Sequence, residues 1–305
     1  MNLIDNILYD MLYHSTPLIL AVLGGLFAHK ANVLNIGLEG MMLMGAFSSA
    51  LIVLLTGSLW LGLLISVLLT LLLGLIFSFL SVTLKSNFII TGFGINLFVA
   101  ALSAFVLKFM KLANINVSSI VNVAGLKIHI PVIEDIPILG SILSGHTLIT
   151  YISFLMIIVA SVLLYNTKFG VYVRVVGENE EAAKSVGINV NRIKYAAVLI
   201  GAALCALAGA ELSVERLALY TNSMTAGRGF IAIAAIYCGR GEPLKCTLYA
   251  LLFGLARSLA INLALFAGPI SGLFEIVPYL TIVVVLFAVS VIQNRSNNVR
   301  GFKLE

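Results

Sequence analysis

Leu61–Leu80 reads LGLLISVLLTLLLGLIFSFL, a run without a charged residue and with apolar side chains at nearly every position. A β-barrel strand alternates polar and apolar residues with a period of two, and this run does not. Its length matches the roughly 20 residues that a helix needs to cross a bilayer. In lipid such a segment has to close its backbone hydrogen bonds within itself, which a helix does. Outward from it, apolar segments fall at roughly 12–28, 37–56, 60–83, 88–108, 147–166, 194–214, 228–239, 244–266 and 274–292. The first and seventh are short for a full crossing. The predicted class is an all-α polytopic membrane protein of about 8–10 transmembrane helices, one domain over residues 1–305.

Composition agrees. Hydrophobic residues make up 61% of the chain and charged ones 10%, where soluble domains carry about a quarter charged residues. The net charge of +5 follows from the Lys/Arg bias of cytoplasmic loops and gives no reason to expect nucleic acid. Cys205, Cys238 and Cys246 lie in or beside apolar segments without CxxC spacing, so they read as packing residues rather than metal ligands. The first residues lack the basic start and small-residue cleavage site of a signal peptide.

With the C-terminus inside, Lys30, Lys85, Lys168, Arg174, Lys184, Arg192, Lys194, Arg240, Lys245, Arg295, Arg300 and Lys303 fall on the cytoplasmic side. Lys108, Lys111, Lys127, Arg216 and Arg228 fall outside. That bias is the expected one, and it places the N-terminus outside. The longest polar connection, about 112–146 with Pro131 and Pro137, reads as an extracytoplasmic loop. A weak likeness between the Asn35–Met42 and Arg228–Pro243 regions is compatible with two related halves.

One charged island, TKFGVYVRVVGENEEAAKSVGINVNRIKYA at Thr167–Ala196, interrupts the apolar text. Asn179 is placed to cap a short helix, with Glu180 and Glu181 at the positive end of its dipole and Lys184 at the negative end. Glu180 and Lys184 have the spacing of an ion pair, and Gly187 suits a left-handed stop. The expected helix has about seven residues and is roughly 10 Å long, with Ala182, Ala183 and Val186 as a small apolar face. Such a helix can seat in a groove on another protein; an ordinary cytoplasmic loop with one helical turn is the alternative.

Three blocks carry a resemblance: ANVLNIGLEGMMLMG at Ala31–Gly45, the island followed by Leu207-Ala208-Gly209-Ala210, and MTAGRGFIAIAAIYCGRGEP at Met224–Pro243. In this order they resemble ABC-transporter permeases of the branched-chain amino acid/ribose/nucleoside importer group, type II importer-like, most of all the nucleoside and simple-sugar branch. The resemblance covers about residues 12–292, and the shortness of the N-terminus looks like the shorter of two paired permeases. It implies that the segment at about 167–194, with Gly177, Glu178, Asn179, Glu180, Ala182, Ala183, Val186 and Gly187, docks on a separate ATP-binding subunit. It also implies a second permease subunit as a heterodimer partner and an extracytoplasmic substrate-binding lipoprotein. ATP and Mg would be bound by the ATPase. Independently, no GxxxxGK[ST] occurs in the sequence, so the chain carries no loop of that kind for nucleotide phosphates.

Polar groups at membrane depth usually face a cavity or another helix. Asn35 and Glu39 stand among glycines that let a helix break; Glu39 also reads as an interfacial partner of Lys30 or a helix cap. Asn96, in TGFGINLF, offers both donor and acceptor to a nucleobase or ribose, with Phe93 and Phe98 as stacking surfaces; interhelical packing is the other reading. Arg228 reads as an outside anchor or a partner of Glu211 or Glu215, and Arg257 as a partner of Glu275. A secondary transporter or channel driven by an ion gradient would need a carboxylate relay, for which Glu39, Glu211 and Glu275 are scattered candidates. His14, His29, His129 and His146 fall in no HExxH, and no GxSxG or paired Asp motif appears, so no catalytic or metal-binding residues are assigned.

Overall fold

The computed structural model describes residues 3–129, 139–265 and 268–299; Pro131 and Pro137 lie outside them. The helices are α1 Leu3–Lys30, α2 Leu38–Thr56, α3 Leu59–Ser78, α4 Phe88–Phe109, α5 Leu139–Leu143, α6 Leu148–Asn166, α7 Lys168–Glu178, α8 Glu180–Ser185, α9 Val190–Ala210, α10 Arg228–Cys238, α11 Pro243–Ala264 and α12 Val277–Val299. π-helical turns extend α3 through Phe79–Thr83 and α9 through Glu211–Arg216. Among the described residues, eight helical stretches are long and apolar enough to cross a membrane. This is an all-α polytopic membrane protein. The first apolar segment is not short: α1 has 28 residues. The seventh is, since α10 has only 11, about 16 Å or half a bilayer.

Small residues set the buried centre, where α1, α2 and α9 pack together. A Cβ on Gly24 would meet the Gly201 carbonyl at 2.8 Å, one on Gly45 the Ala206 backbone at 2.6 Å, and one on Gly209 the Met42 carbonyl at 2.0 Å. The stripe from Gly201 to Ala210 is therefore the seam of the bundle. By contrast α3, α4, α6 and α12 leave most of their apolar surface outward.

Pro17 lies inside α1. Having no N–H, it cannot bond the carbonyl four residues earlier, that of Tyr13. The Arg216 guanidinium takes that carbonyl, lies 3.8 Å from the Tyr13 ring centroid, and pairs with Glu211 at 2.6 Å. A proline in one helix is thus matched by an arginine in the π turn of another. Arg228, expected to anchor outside or to pair with Glu211 or Glu215, instead donates to the Met224 and Thr225 carbonyls at 3.0 Å each. Glu215 accepts from Ile149 N–H at the start of α6. Arg257 and Glu275 face a common cavity of ≈ 390 Å³.

Lys30, Lys168, Arg192 and Lys245 lie in the terminal turns of helices, and Lys85 and Arg240 just past helix ends, on one side of the bundle, its basic end. At the other end, two short antiparallel pairings close the loops: Ile115–Asn116 with Leu219–Tyr220, and Lys127–Ile128 with His146–Thr147. There the His146 ring stacks on Tyr9 with centroids 4.3 Å apart, and the Tyr9 hydroxyl donates to the Gly145 carbonyl. Burial holds the His146 pKa below the usual histidine value, opposed by its hydrogen bond to the Ile142 carbonyl.

Candidate functional site

Two constructions hold the residues singled out above. The first is a knob at the basic end. Thr167 ends α6 and starts α7: its hydroxyl donates to the Leu163 carbonyl and accepts from Gly170 N–H. A Cβ on Gly170 would lie 2.2 Å from the Leu163 carbonyl oxygen, so only glycine allows this tight reversal. Asn179 then caps α8, its Oδ1 accepting from Glu181 N–H at 2.9 Å and Ala182 N–H at 3.0 Å. Gly187, at φ +82°, takes the left-handed stop.

Two expectations for the knob are corrected. Glu180 pairs with Lys194 on α9, not with Lys184. Lys194 is nearly buried, so the partner that lowers the cost of its charge wins over an exposed i,i+4 pair worth about 0.5 kcal/mol or less. The presumed single face of Ala182, Ala183 and Val186 divides. Ala183 is buried in a small apolar cluster with Val176 and Val190, while Ala182 is exposed and Val186 is 73% exposed. Ala182 and Ala183 are consecutive and so point about 100° apart round the helix, and Val186 lies just past its last residue, Ser185. Glu178, Asn179 and Gly187 are exposed around them. Gly177 faces inward: its Cβ would lie 2.0 Å from the Lys30 carbonyl oxygen.

The second construction is a pair of helices that begin inside the bundle. Leu38, the first residue of α2, packs against Gly25 of α1, about 7.5 Å of helix rise from the end at Lys30. The approach through Leu34–Gly37 is irregular backbone, which lipid does not tolerate but protein burial does. Asn96 of α4 secures it. Its Oδ1 accepts from Gly40 N–H at 2.7 Å, a free donor of the first turn of α2, and its Nδ2 donates to the Ile36 carbonyl at 3.1 Å.

Glu39 of α2 repeats the device on α10. Its Oε1 accepts from Thr225 Oγ1 at 2.6 Å and Gly227 N–H at 2.8 Å, and its Oε2 from Gly229 N–H at 2.6 Å. A carboxylate from one helix thus caps the positive end of another, and Glu39 has no need of Lys30. Gly229 admits it, because a Cβ there would lie 2.5 Å from Glu39 N. Thr225 and Gly227 as partners of Glu39, and Lys194 as the partner of Glu180, were not read from the sequence. The available signal was a carboxylate in an apolar run next to no cation, with a glycine-flanked helix start elsewhere in the chain.

Asn35 differs from both. It is 4% exposed; its Oδ1 has no hydrogen-bond partner, and its Nδ2 has only the Met41 sulfur at 3.6 Å. Ile233, Ile236 and Tyr237 of α10 cover it around a small void. Phe93 meets Phe230 of α10 with centroids 6.2 Å apart. Phe98 lies on the exposed stripe of α4 with Leu97, Phe105 and Phe109.

The family model for the branched-chain amino acid transport system / permease component matches residues 7–286, a span that includes the knob and both interior helix starts. The chain belongs to this permease family. The permease is 33% identical over 300 residues to the nucleoside ABC transporter permease protein NupC of Lactococcus lactis subsp. cremoris, covering 93% of this chain and 92% of that one. It is 32% identical to the guanosine ABC transporter permease protein NupQ of Bacillus subtilis, over 88% of this chain and 84% of the other. To the putative glucose ABC transporter permease protein TsgC13 of Haloferax volcanii it is 31% identical, over 89% and 88%. No solved structure matches. The permease is a transport component and a multi-pass protein of the cell membrane.

Proposed function

We propose that the permease forms, with a second permease subunit, the membrane pathway of an ATP-driven importer for nucleosides. The carrying observation is the division of the knob: Ala183 and Glu180 fasten it to the membrane body, while Ala182 and Val186 present a small apolar surface to solvent. An exposed valine at the tip of a capped, anchored helix suits a groove on a soluble partner. That partner is a separate ATP-binding subunit, which holds the ATP and Mg. An extracytoplasmic lipoprotein delivers substrate to the opposite end.

Nucleosides are the substrate class favoured by the names of the NupC and NupQ relatives. The glucose permease relative keeps simple sugars as the second reading. In the pathway, Asn96 and Glu39 act as positioning residues, since their hydrogen bonds are committed to helix starts. The Asn35 amide is uncommitted and serves as the group that meets substrate once α10 moves, with Phe93, which meets Phe230 of α10, as a stacking surface. Phe98 faces out of the subunit. A carboxylate relay for ion coupling finds little support: Glu39 is spent on α10 and Glu211 on Arg216.

Replacing residues 178–187 by a flexible linker tests the coupling role. The variant is expected to insert in the membrane, to lose co-purification with the ATPase and to lose uptake. Retained uptake refutes the role. Uptake of labelled guanosine and uridine, with glucose and leucine as competitors, tests the substrate class.

A further inference from the structure

α1 ends in a left-handed stop. Asn32 has φ +56°, Asn32 N–H donates to the His29 carbonyl and Val33 N–H to the Ala28 carbonyl. α10 ends in the same way: Arg240 has φ +54°, Arg240 N–H donates to the Tyr237 carbonyl and Gly241 N–H to the Ile236 carbonyl. The two stops touch. Lys30 Nζ donates to the Arg240 carbonyl at 3.3 Å, the His29 ring meets Tyr237 edge-on at 5.1 Å, and a Cβ on Gly241 would lie 2.8 Å from the His29 ring. From the other side the last turn of α7 presses on the same place: a Cβ on Gly177 would meet the Lys30 carbonyl oxygen at 2.0 Å and Asn32 N at 3.4 Å.

Three elements therefore meet at one turn. α7 is fixed to the knob through the Val176, Ala183 and Val190 cluster. α10 covers Asn35, and the chain leaving Asn32 becomes the irregular Leu34–Gly37 segment that leads into α2. Gly177 brings the α7 backbone directly against that of the turn, and Gly241 leaves room for the His29 and Lys30 side chains on the other stop; packed interfaces of this kind shift between discrete arrangements rather than deform.

We infer that the Lys30–Asn32 turn is the joint through which movement of the knob reaches both α10 and the segment bearing Asn35, with Gly177 and Gly241 as its bearing surfaces and Lys30 as its tie. This rests on the coupling function proposed above. Gly177, Lys30 and Gly241 are positioning residues: Gly177 is turned toward the Lys30 carbonyl and Asn32 rather than toward the exposed Ala182 and Val186 face of the knob.

The test uses the whole transporter, purified with its own ATPase and reconstituted, with labelled guanosine as the transported probe. Gly177→Ala and Lys30→Met are compared with wild type for subunit co-purification, ATP hydrolysis and uptake. The expected result is retained assembly and hydrolysis with a fall of about tenfold in guanosine carried per ATP. A wild-type ratio in both variants overturns the joint, as does a parallel loss of hydrolysis and uptake, which marks a merely structural contact. Where Gly177→Ala does not reach the membrane, Lys30→Met decides, because it removes one ammonium and leaves the backbone stop intact. If wild type neither holds an ATPase nor moves guanosine, the functional reading fails instead, and the two failures are distinguishable.

Discussion

Glu39 is a single carboxylate that satisfies two backbone donors and a hydroxyl at a helix start inside the bundle. Glutamine keeps one acceptor oxygen but turns an amide NH₂ toward a backbone N–H. A buried donor left unpaired costs about 1–3 kcal/mol, so Glu39→Gln is expected to lower the thermal midpoint in detergent and to reduce uptake; an unchanged midpoint argues against the cap. Asn35 and Asn96 are chemically identical yet should respond differently. Asn96→Leu removes two bonds at the start of α2 and is expected to lower the amount of folded protein. Asn35→Leu removes no strong bond and is expected to leave folding intact while raising KM for nucleoside uptake; equal effects on folding contradict the assignment. At the opposite end, His146 has its pKa depressed by burial. Between the unfolded value, about 6.5, and the lower folded one, the unfolded chain binds more protons, so stability falls as pH falls. Melting curves from pH 7.5 to 5 should show a drop that is smaller in His146→Gln; equal slopes contradict this.

At the scale of the element, the knob is six helical residues whose two sides have opposite duties. Ala183→Glu places a charge in the cluster with Val176 and Val190 and is expected to destabilise the knob, read as protease cleavage near residue 183. Val186→Glu alters an exposed position and is expected to leave that cleavage unchanged while weakening ATPase co-purification. Sequence had much of this element: Asn179, Gly187 and the helix between them follow from local capping chemistry. It assigned the wrong partner to Glu180, because Lys194 becomes a neighbour only when α9 folds back on α8. The same limit explains Glu39. Residues 39 and 227 are far apart in the chain, and no local rule joins a carboxylate to a helix start so distant. Asn96 was legible as an amide at depth, but its two bonds depend on α2 beginning inside the bundle. That in turn requires the close contact of Leu38 with Gly25.

For the whole molecule, the apolar runs were enough to bracket the number of membrane helices at about 8–10, eight of which are long enough to cross among the described residues, but not to give the order in which the helices support one another. Sidedness is testable directly. Cys205, Cys238 and Cys246 are all buried, so the chain offers a quiet background for thiol labelling. Val186→Cys is expected to react with an impermeant maleimide in inside-out vesicles and to stay unlabelled in intact cells; labelling of intact cells reverses the topology. The chain of supports, Asn96 of α4 to α2 and Glu39 of α2 to α10, also bears on biogenesis. A ribosome that has delivered the first four helices has placed an acidic side chain at membrane depth while its donors at Thr225, Gly227 and Gly229 are still unsynthesised. Nascent chains halted before Thr225 should therefore be short-lived, held by the insertion machinery or cleared by membrane proteases. Pulse-chase of truncations ending on either side of Gly229 should show half-life stepping upward at that point.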